Sequence, residues 1–338
     1  MQKKTSSKRI IKWIVFIILG LFVLTNAWIA LQAYKFTHFD ENVPQLPANP
    51  KEISISTSEK IKIAVCGPDL PKPITRNYPD RQYNSATIPY KDEQTIRLWF
   101  LAADSLPKGT IIIFHGYMDE KSSMLDRAEL LLELGYNVVL PDFIGAGDSD
   151  GTQVTIGNNE AEQVKIIYDH IMKQIDNDNI YLMGFSMGAV AITKAQHDYD
   201  MIVNGIILEA PYSTLEETIG RRIDQMNGIR TPFMQLTTFW MGRVNGFDGF
   251  AFKPIEYVKQ IQSPILHLCG GKDPHIPISE SQAIFENIGS EAKTFHVFED
   301  SEHESYVKKY PEEWNEIVGT FLHSIEEKNV FYDAESEE

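Results

Sequence analysis

The sequence predicts an α/β fold, a mostly parallel central sheet with helices on both faces, carried behind an N-terminal transmembrane helix. Three observations lead there. Short apolar runs alternate with segments of helical periodicity from about Ile96 onward. A Gly-x-Ser-x-Gly turn sits between one such run and an apolar helix. The chain also opens on a basic flank followed by a long charge-free stretch. With 338 residues, 43% hydrophobic and 23% charged, it can bury a sizeable core and is too apolar for disorder. Cys66 and Cys269 make neither a disulfide framework nor a four-cysteine zinc site. A net charge of −16, from 31 Lys and Arg against 47 Asp and Glu, argues against nucleic acid as a partner.

Lys3, Lys4, Lys8, Arg9 and Lys12 precede the uncharged stretch Trp13 to Leu31, interrupted only by Thr25 and Asn26. As a helix that stretch spans roughly 28 Å, close to the hydrocarbon thickness of a bilayer. Trp13 and Trp28 stand near its ends, where indoles favour the headgroups. The basic flank belongs in the cytoplasm, so the rest of the chain is expected on the extracytoplasmic side. A cleaved signal peptide would have a shorter apolar core and a small-x-small site, for which Thr25-Asn26-Ala27 is poor; residues 1–35 are therefore read as an uncleaved anchor. Residues 36–85, where prolines interrupt short alternating runs such as Ile53-Ser54-Ile55 and Ile61-Lys62-Ile63, read as an extended stalk with small strands. From Ser324 the chain turns acidic, and residues 327–338 read as a disordered, solvated tail.

The main domain is expected over residues 86–326. Thr110–Phe114, Asn137–Leu140, Ile180–Met183, Gly205–Leu208, Pro264–Cys269 and Thr294–Phe298 are apolar on both faces, as in a sheet covered on both sides. Between them lie helix patterns, one ending at Gly135 and one following Glu160. Chemistry in such sheets collects at the carboxyl ends of strands.

Gly184-Phe185-Ser186-Met187-Gly188 is the strongest signal. A strand must reverse into a helix there, and the glycines remove Cβ atoms that would clash. Ser186 is left at a helix amino terminus, where developing negative charge is favoured. Facing it, the strand Thr110–Phe114 ends in His115-Gly116-Tyr117. The amides of Tyr117 and Met187 are the candidate oxyanion hole, with His115 bracing the loop rather than acting as base. A serine needs a base. His303, in a polar loop after the last strand, is preferred over His275 because it gives the chain order Ser, acid, His. Asp273, in Gly270-Gly271-Lys272-Asp273 at a strand end, is the preferred orienting acid, with Glu209 and Asp300 as alternatives.

These segments resemble the α/β-hydrolase fold over about residues 85 to 325. The resemblance takes in the His-Gly loop, Asp142-Phe143-Ile144-Gly145-Ala146-Gly147-Asp148-Ser149, Thr155-Ile156-Gly157 with Glu160, the serine turn, the Gly-x-x-Asp loop and the late histidine. Within the fold the chain is most similar to membrane-anchored bacterial serine hydrolases of the lipase, esterase and lysophospholipase type. The resemblance implies Ser186 as nucleophile, Asp273 as orienting acid, His303 as general base, Met187 and Tyr117 as oxyanion donors, and no metal or organic cofactor. It also implies a carboxylic, lipid-like ester as substrate, with a serine peptidase, an acyltransferase or a non-catalytic tethered binding protein as alternatives. Gln163 departs from the pattern, standing where related sequences often have aspartate. Residues 213–252 fall where the fold inserts a small helical cap. There Met226, Phe233, Met234, Phe239, Trp240 and Met241 either pack on the body or line an acyl pocket.

Overall fold

A computed structural model describes residues 3–45, 56–175 and 179–336 of the chain. Eight strands form one sheet: β1 (Asn84–Pro89), β2 (Thr95–Leu101), β3 (Thr110–Phe114), β4 (Asn137–Pro141), β5 (Ile180–Phe185), β6 (Gly205–Glu209), β7 (Ile265–Gly270) and β8 (Lys293–Phe298). Their spatial order is β1-β2-β4-β3-β5-β6-β7-β8. β1 and β2 are an antiparallel hairpin at one edge, β2 joins β4 antiparallel, and every later pairing is parallel. The expected strands are all present, and the β1–β2 hairpin adds two more.

The helices are α1 (Lys3–Thr37), α2 (Thr57–Cys66), α3 (Leu125–Glu133), α4 (Glu160–Met172), α5 (Met187–Asp198), α6 (Leu215–Gln225), α7 (Arg230–Asn245), α8 (Pro254–Tyr257), α9 (Ile278–Asn287), α10 (Tyr306–Lys309) and α11 (Pro311–Ser336). Apolar side chains alternate across the sheet into two cores. Ile111 and Ile113 of β3 enter one with α3 and α11, while Ile112 and Phe114 enter the other with α4 and α5. That two-sided burial explains why the strands read as unbroken apolar runs.

Two expectations are corrected. Ile61-Lys62-Ile63 lies in α2, not in a short strand, because Ser56 and Glu59 form a reciprocal capping box that starts a helix; Ile53-Ser54-Ile55 falls outside the described residues. The acidic segment after Ser324 continues α11 to Ser336. No proline follows Pro311, and good helix formers carry the helix on.

α1 has two halves. From Ile10 to Leu24 its large apolar side chains are exposed, and the helix is long and apolar enough to cross a membrane. Its last turns belong to the body instead: Ile29, Ala33 and Thr37, four residues apart on one face, are buried. Trp240 Nε1 of α7 donates to Asn26 Oδ1 at 3.0 Å, and Asn245 Nδ2 donates to Thr37 Oγ1 at 3.2 Å. Residues beyond α1 lie along the body, with Phe39 N donating to Thr152 O and Gly147 N to Pro73 O.

His267 of β7 is fully buried, edge-on to Phe295 at 5.3 Å, with no hydrogen-bond partner for either ring nitrogen. Burial pushes its pKa down to about 3. The neutral ring costs nothing extra above pH 6.5; below it the unfolded chain takes up a proton that the folded chain refuses. Stability is therefore expected to fall by about 1.4 kcal/mol per pH unit between 6.5 and 3 from this residue alone. His267→Phe should flatten that acid limb in denaturant titrations at several pH values. An unchanged limb would show that the imidazole is not held neutral.

Candidate active site

At the carboxyl end of β5 the chain turns into α5 through Ser186, whose φ of 50° and ψ of −110° are rare for a residue bearing a Cβ. Close backbone approach imposes the turn. A Cβ on Gly188 would lie 2.3 Å from Phe114 O, and one on Gly184 would lie 2.5 Å from Ala189 N. Only glycine fits at either place. Ser186 N donates to Glu209 O at 2.8 Å, which ties the turn to the end of β6.

His303 reaches this serine from the loop after β8. Its Nε2 lies 3.0 Å from Ser186 Oγ, and its Nδ1 lies 2.7 Å from Asp273 Oδ2. The other oxygen, Asp273 Oδ1, accepts from His275 N at 2.7 Å and Ile276 N at 2.9 Å, so the carboxylate is aimed by its own loop. With Nδ1 protonated toward Asp273, Nε2 presents its lone pair to the serine hydroxyl. Three residues from distant parts of the chain thus meet in one relay. Met187 opens α5, so its N–H has no intrahelical acceptor. Tyr117 follows the His115-Gly116 loop, where Gly116 packs against Phe185.

The rival residues are engaged elsewhere. His115 is buried, with Nδ1 donating to Gly116 O at 2.9 Å and Nε2 accepting from Phe143 N at 3.0 Å, which braces the loop. His275 stands beside the relay with its ring 5.4 Å from that of His303, and its Nδ1 meets Gln225 Nε2 at 3.0 Å. Glu209 accepts from Arg127 Nε at 2.9 Å and Trp314 Nε1 at 2.7 Å. Asp300 is a surface partner of Lys272 at 2.6 Å. Gln163 keeps a helix contact by accepting from Ile144 N at 2.8 Å.

Sequence and structure comparisons bear on the fold that carries this layout. A family model described as serine aminopeptidase, S33, matches residues 105–245. Pyrococcus furiosus esterase Pf2001 superposes with a TM-score of 0.62 at 23% identity, over 75% of this chain and 98% of that one. The chain has the α/β-hydrolase fold. An uncharacterized Bacillus subtilis protein, YqkD, is 22% identical over 75% of this chain and 83% of the relative. Lysophosphatidylserine lipase ABHD12 of Macaca fascicularis is 24% identical over 60% of the chain, which spans about half (50%) of that lipase's length.

Beneath the relay lies an ion pair that the sequence does not announce. Arg127 of α3 and Glu209 are both buried. Burial opposes the charge of Arg127, yet Glu209 and Asp126 hold it firmly protonated. Its Nη1 also donates to Ser305 Oγ at 3.0 Å, two residues beyond His303, and its guanidinium lies 5.3 Å from the Phe185 ring centroid. A second buried cation, Lys121, pairs with Asp142 and Asp148 and fixes the turn after β4 against the His-Gly loop. The sequence carried a faint sign of the first: an arginine directly before Ala128, inside the apolar stripe of α3.

The cap expectation divides. Met234 and Met241 are buried in the core and Trp240 bonds α1, whereas Met226 and Phe239 are exposed. None of the six aromatic and methionine residues lines the cleft over Ser186. That cleft has a free volume of about 30 Å³ and is lined by Ser186, Tyr212, Thr218, Arg221, Arg222, His275, Ile276 and His303.

Arg127→Met would strand the Glu209 carboxylate in the core, and thermal unfolding should show a loss of about 3–5 kcal/mol. Adding Glu209→Leu should restore a substantial part of it. A single variant as stable as the parent would mean that the pair contributes nothing.

Proposed function

We propose that this α/β hydrolase is a serine hydrolase of carboxylic, lipid-like esters that works through an acyl-enzyme on Ser186. The observation that carries the reading is the relay of Ser186, His303 and Asp273 at 3.0 Å and 2.7 Å. Ser186 Oγ attacks the ester carbonyl while His303 Nε2 takes its proton, and Asp273 steadies the imidazolium. The tetrahedral oxyanion is met by the amides of Met187 and Tyr117. His303 then gives its proton to the departing alcohol. A water deprotonated by His303 adds to the acyl-enzyme, and the free acid and the serine are regenerated. Esterase and lipase names among the similar proteins support an ester as the bond cleaved. The description of the matching family as a serine aminopeptidase keeps an amide bond as the second reading.

We further propose that α1 spans a membrane, with Lys8, Arg9 and Lys12 on the cytoplasmic side and the catalytic body outside. An ester dissolved in a bilayer is a reasonable substrate for a body held at its surface.

Ser186→Ala should lower ester turnover by on the order of 10³-fold or more and abolish labelling by a fluorophosphonate probe. A panel of esters and matched amides, assayed on the full chain in neutral detergent, separates the two readings. Amides cleaved faster than esters would favour the peptidase, and full turnover by Ser186→Ala would falsify the serine mechanism.

A further inference from the structure

The cleft over Ser186 is lined on its cap side by cations. Thr218, Arg221 and Arg222 come from α6 at positions one helical turn apart, so one face of that helix is turned toward the serine and His303. The surrounding protein is strongly acidic, and two further arginines of the cap are ion-paired: Arg230 with Glu217 at 2.5 Å and Asp224 at 2.8 Å, and Arg221 with Glu280. The guanidinium of Arg222, an exposed residue, makes no ion pair or hydrogen bond among the described residues, and the nearby groups it interacts with electrostatically are Tyr117, Asp273 and His275. Independently, Arg221 Nε is buried with no hydrogen-bond partner, although the rest of that guanidinium is held by Glu280. A buried N–H without an acceptor is costly unless something that visits the site supplies one. Arg222 therefore lines the cleft beside the nucleophile with no carboxylate ion-paired to it.

Building on the ester-hydrolase reading, we propose that Arg222, with Arg221 Nε, binds an anionic group of the substrate, so that the preferred ester carries a phosphate or carboxylate a few bonds from the scissile carbonyl. Guanidinium forks match the paired oxygens of either anion. Because the same small cleft holds Ser186 Oγ and both arginines, the anion and the carbonyl must belong to one compact headgroup. The greasy part of the substrate then extends away from α6. This accounts for the absence of the cap's methionines and phenylalanines from the cleft. Docking the anion also gives Arg221 Nε the acceptor it lacks.

The test uses the full chain in neutral detergent with three short esters sharing one acyl group: butanoylglycerol, butanoylglycerol phosphate and butanoylglycerate. Wild type should cleave at least one anionic ester about 10-fold or more faster than the neutral one in kcat/KM, and the two anionic arms tell phosphate from carboxylate. In Arg222→Gln the anionic-to-neutral ratio should collapse toward one, chiefly through KM. Arg222→Lys should restore part of it, and Arg230→Gln, on an ion-paired cap arginine, should leave the ratio as in wild type. A wild type without anionic preference, or a ratio that survives Arg222→Gln, overturns the assignment. If none of the three esters is cleaved and the fluorophosphonate probe fails to label Ser186, the ester-hydrolase reading falls and takes this one with it. Probe labelling together with neutral-ester turnover but no preference sinks the anion site alone.

Discussion

Everything at the functional end of the molecule depends on how tightly one strand is turned into one helix. The main chain around Ser186 approaches β3 so closely that Gly188 has no room for a single added carbon, and the serine itself adopts a backbone conformation that most residues avoid. Such a turn persists only where its surroundings over-determine it. β3 supplies Phe114 O on one side, β6 supplies Glu209 O on the other, and α5 grows directly out of the turn with its amide dipoles aimed back at the serine.

The rest of the site is assembled against that fixed point by polar groups buried under it. Arg127 touches Glu209, Ser305 and the face of Phe185, so it links the end of β6, the segment carrying His303 and the residue preceding the nucleophile. Burying two charges is expensive and gives little net stability by itself. What the pair offers is geometry, because an ion pair with several hydrogen bonds tolerates less sliding than an apolar contact. Asp273 is treated similarly, held by two amides of its own loop before it meets the imidazole.

Much of this was legible in the residue order, and the parts that were not share a cause. Strands buried on both faces announce themselves as unbroken apolar runs, and the Gly-x-Ser-x-Gly turn cannot be built without its glycines. Ser186, Asp273 and His303 were therefore readable as strand-end residues. Arg127, Lys121 and Arg222 were not, because a cation in a helix looks the same in sequence whether it faces solvent, a buried acid or the nucleophile. Helix α2 was misread because alternating Ile61 and Ile63 suggest a strand, while the decisive signal was the Ser56–Glu59 cap. The hairpin of β1 and β2 was passed over because its outer strand is mostly exposed and carries one large apolar side chain, Ile88.

The last turns of α1 are knitted into the globular part through Ile29 and Ala33, through Asn26 to Trp240, and through Phe36, whose carbonyl accepts from the hydroxyl of Tyr117 at 2.5 Å. No swivel separates the apolar rod from the catalytic mouth. One rim of the mouth, at Tyr117, therefore rests on the last turn of α1. Removing the helix as far as Thr37 would uncover the apolar seat of Ile29 and Ala33 and take away the carbonyl that the Tyr117 hydroxyl bonds, so the helix and the loop beside the serine are packed as one part.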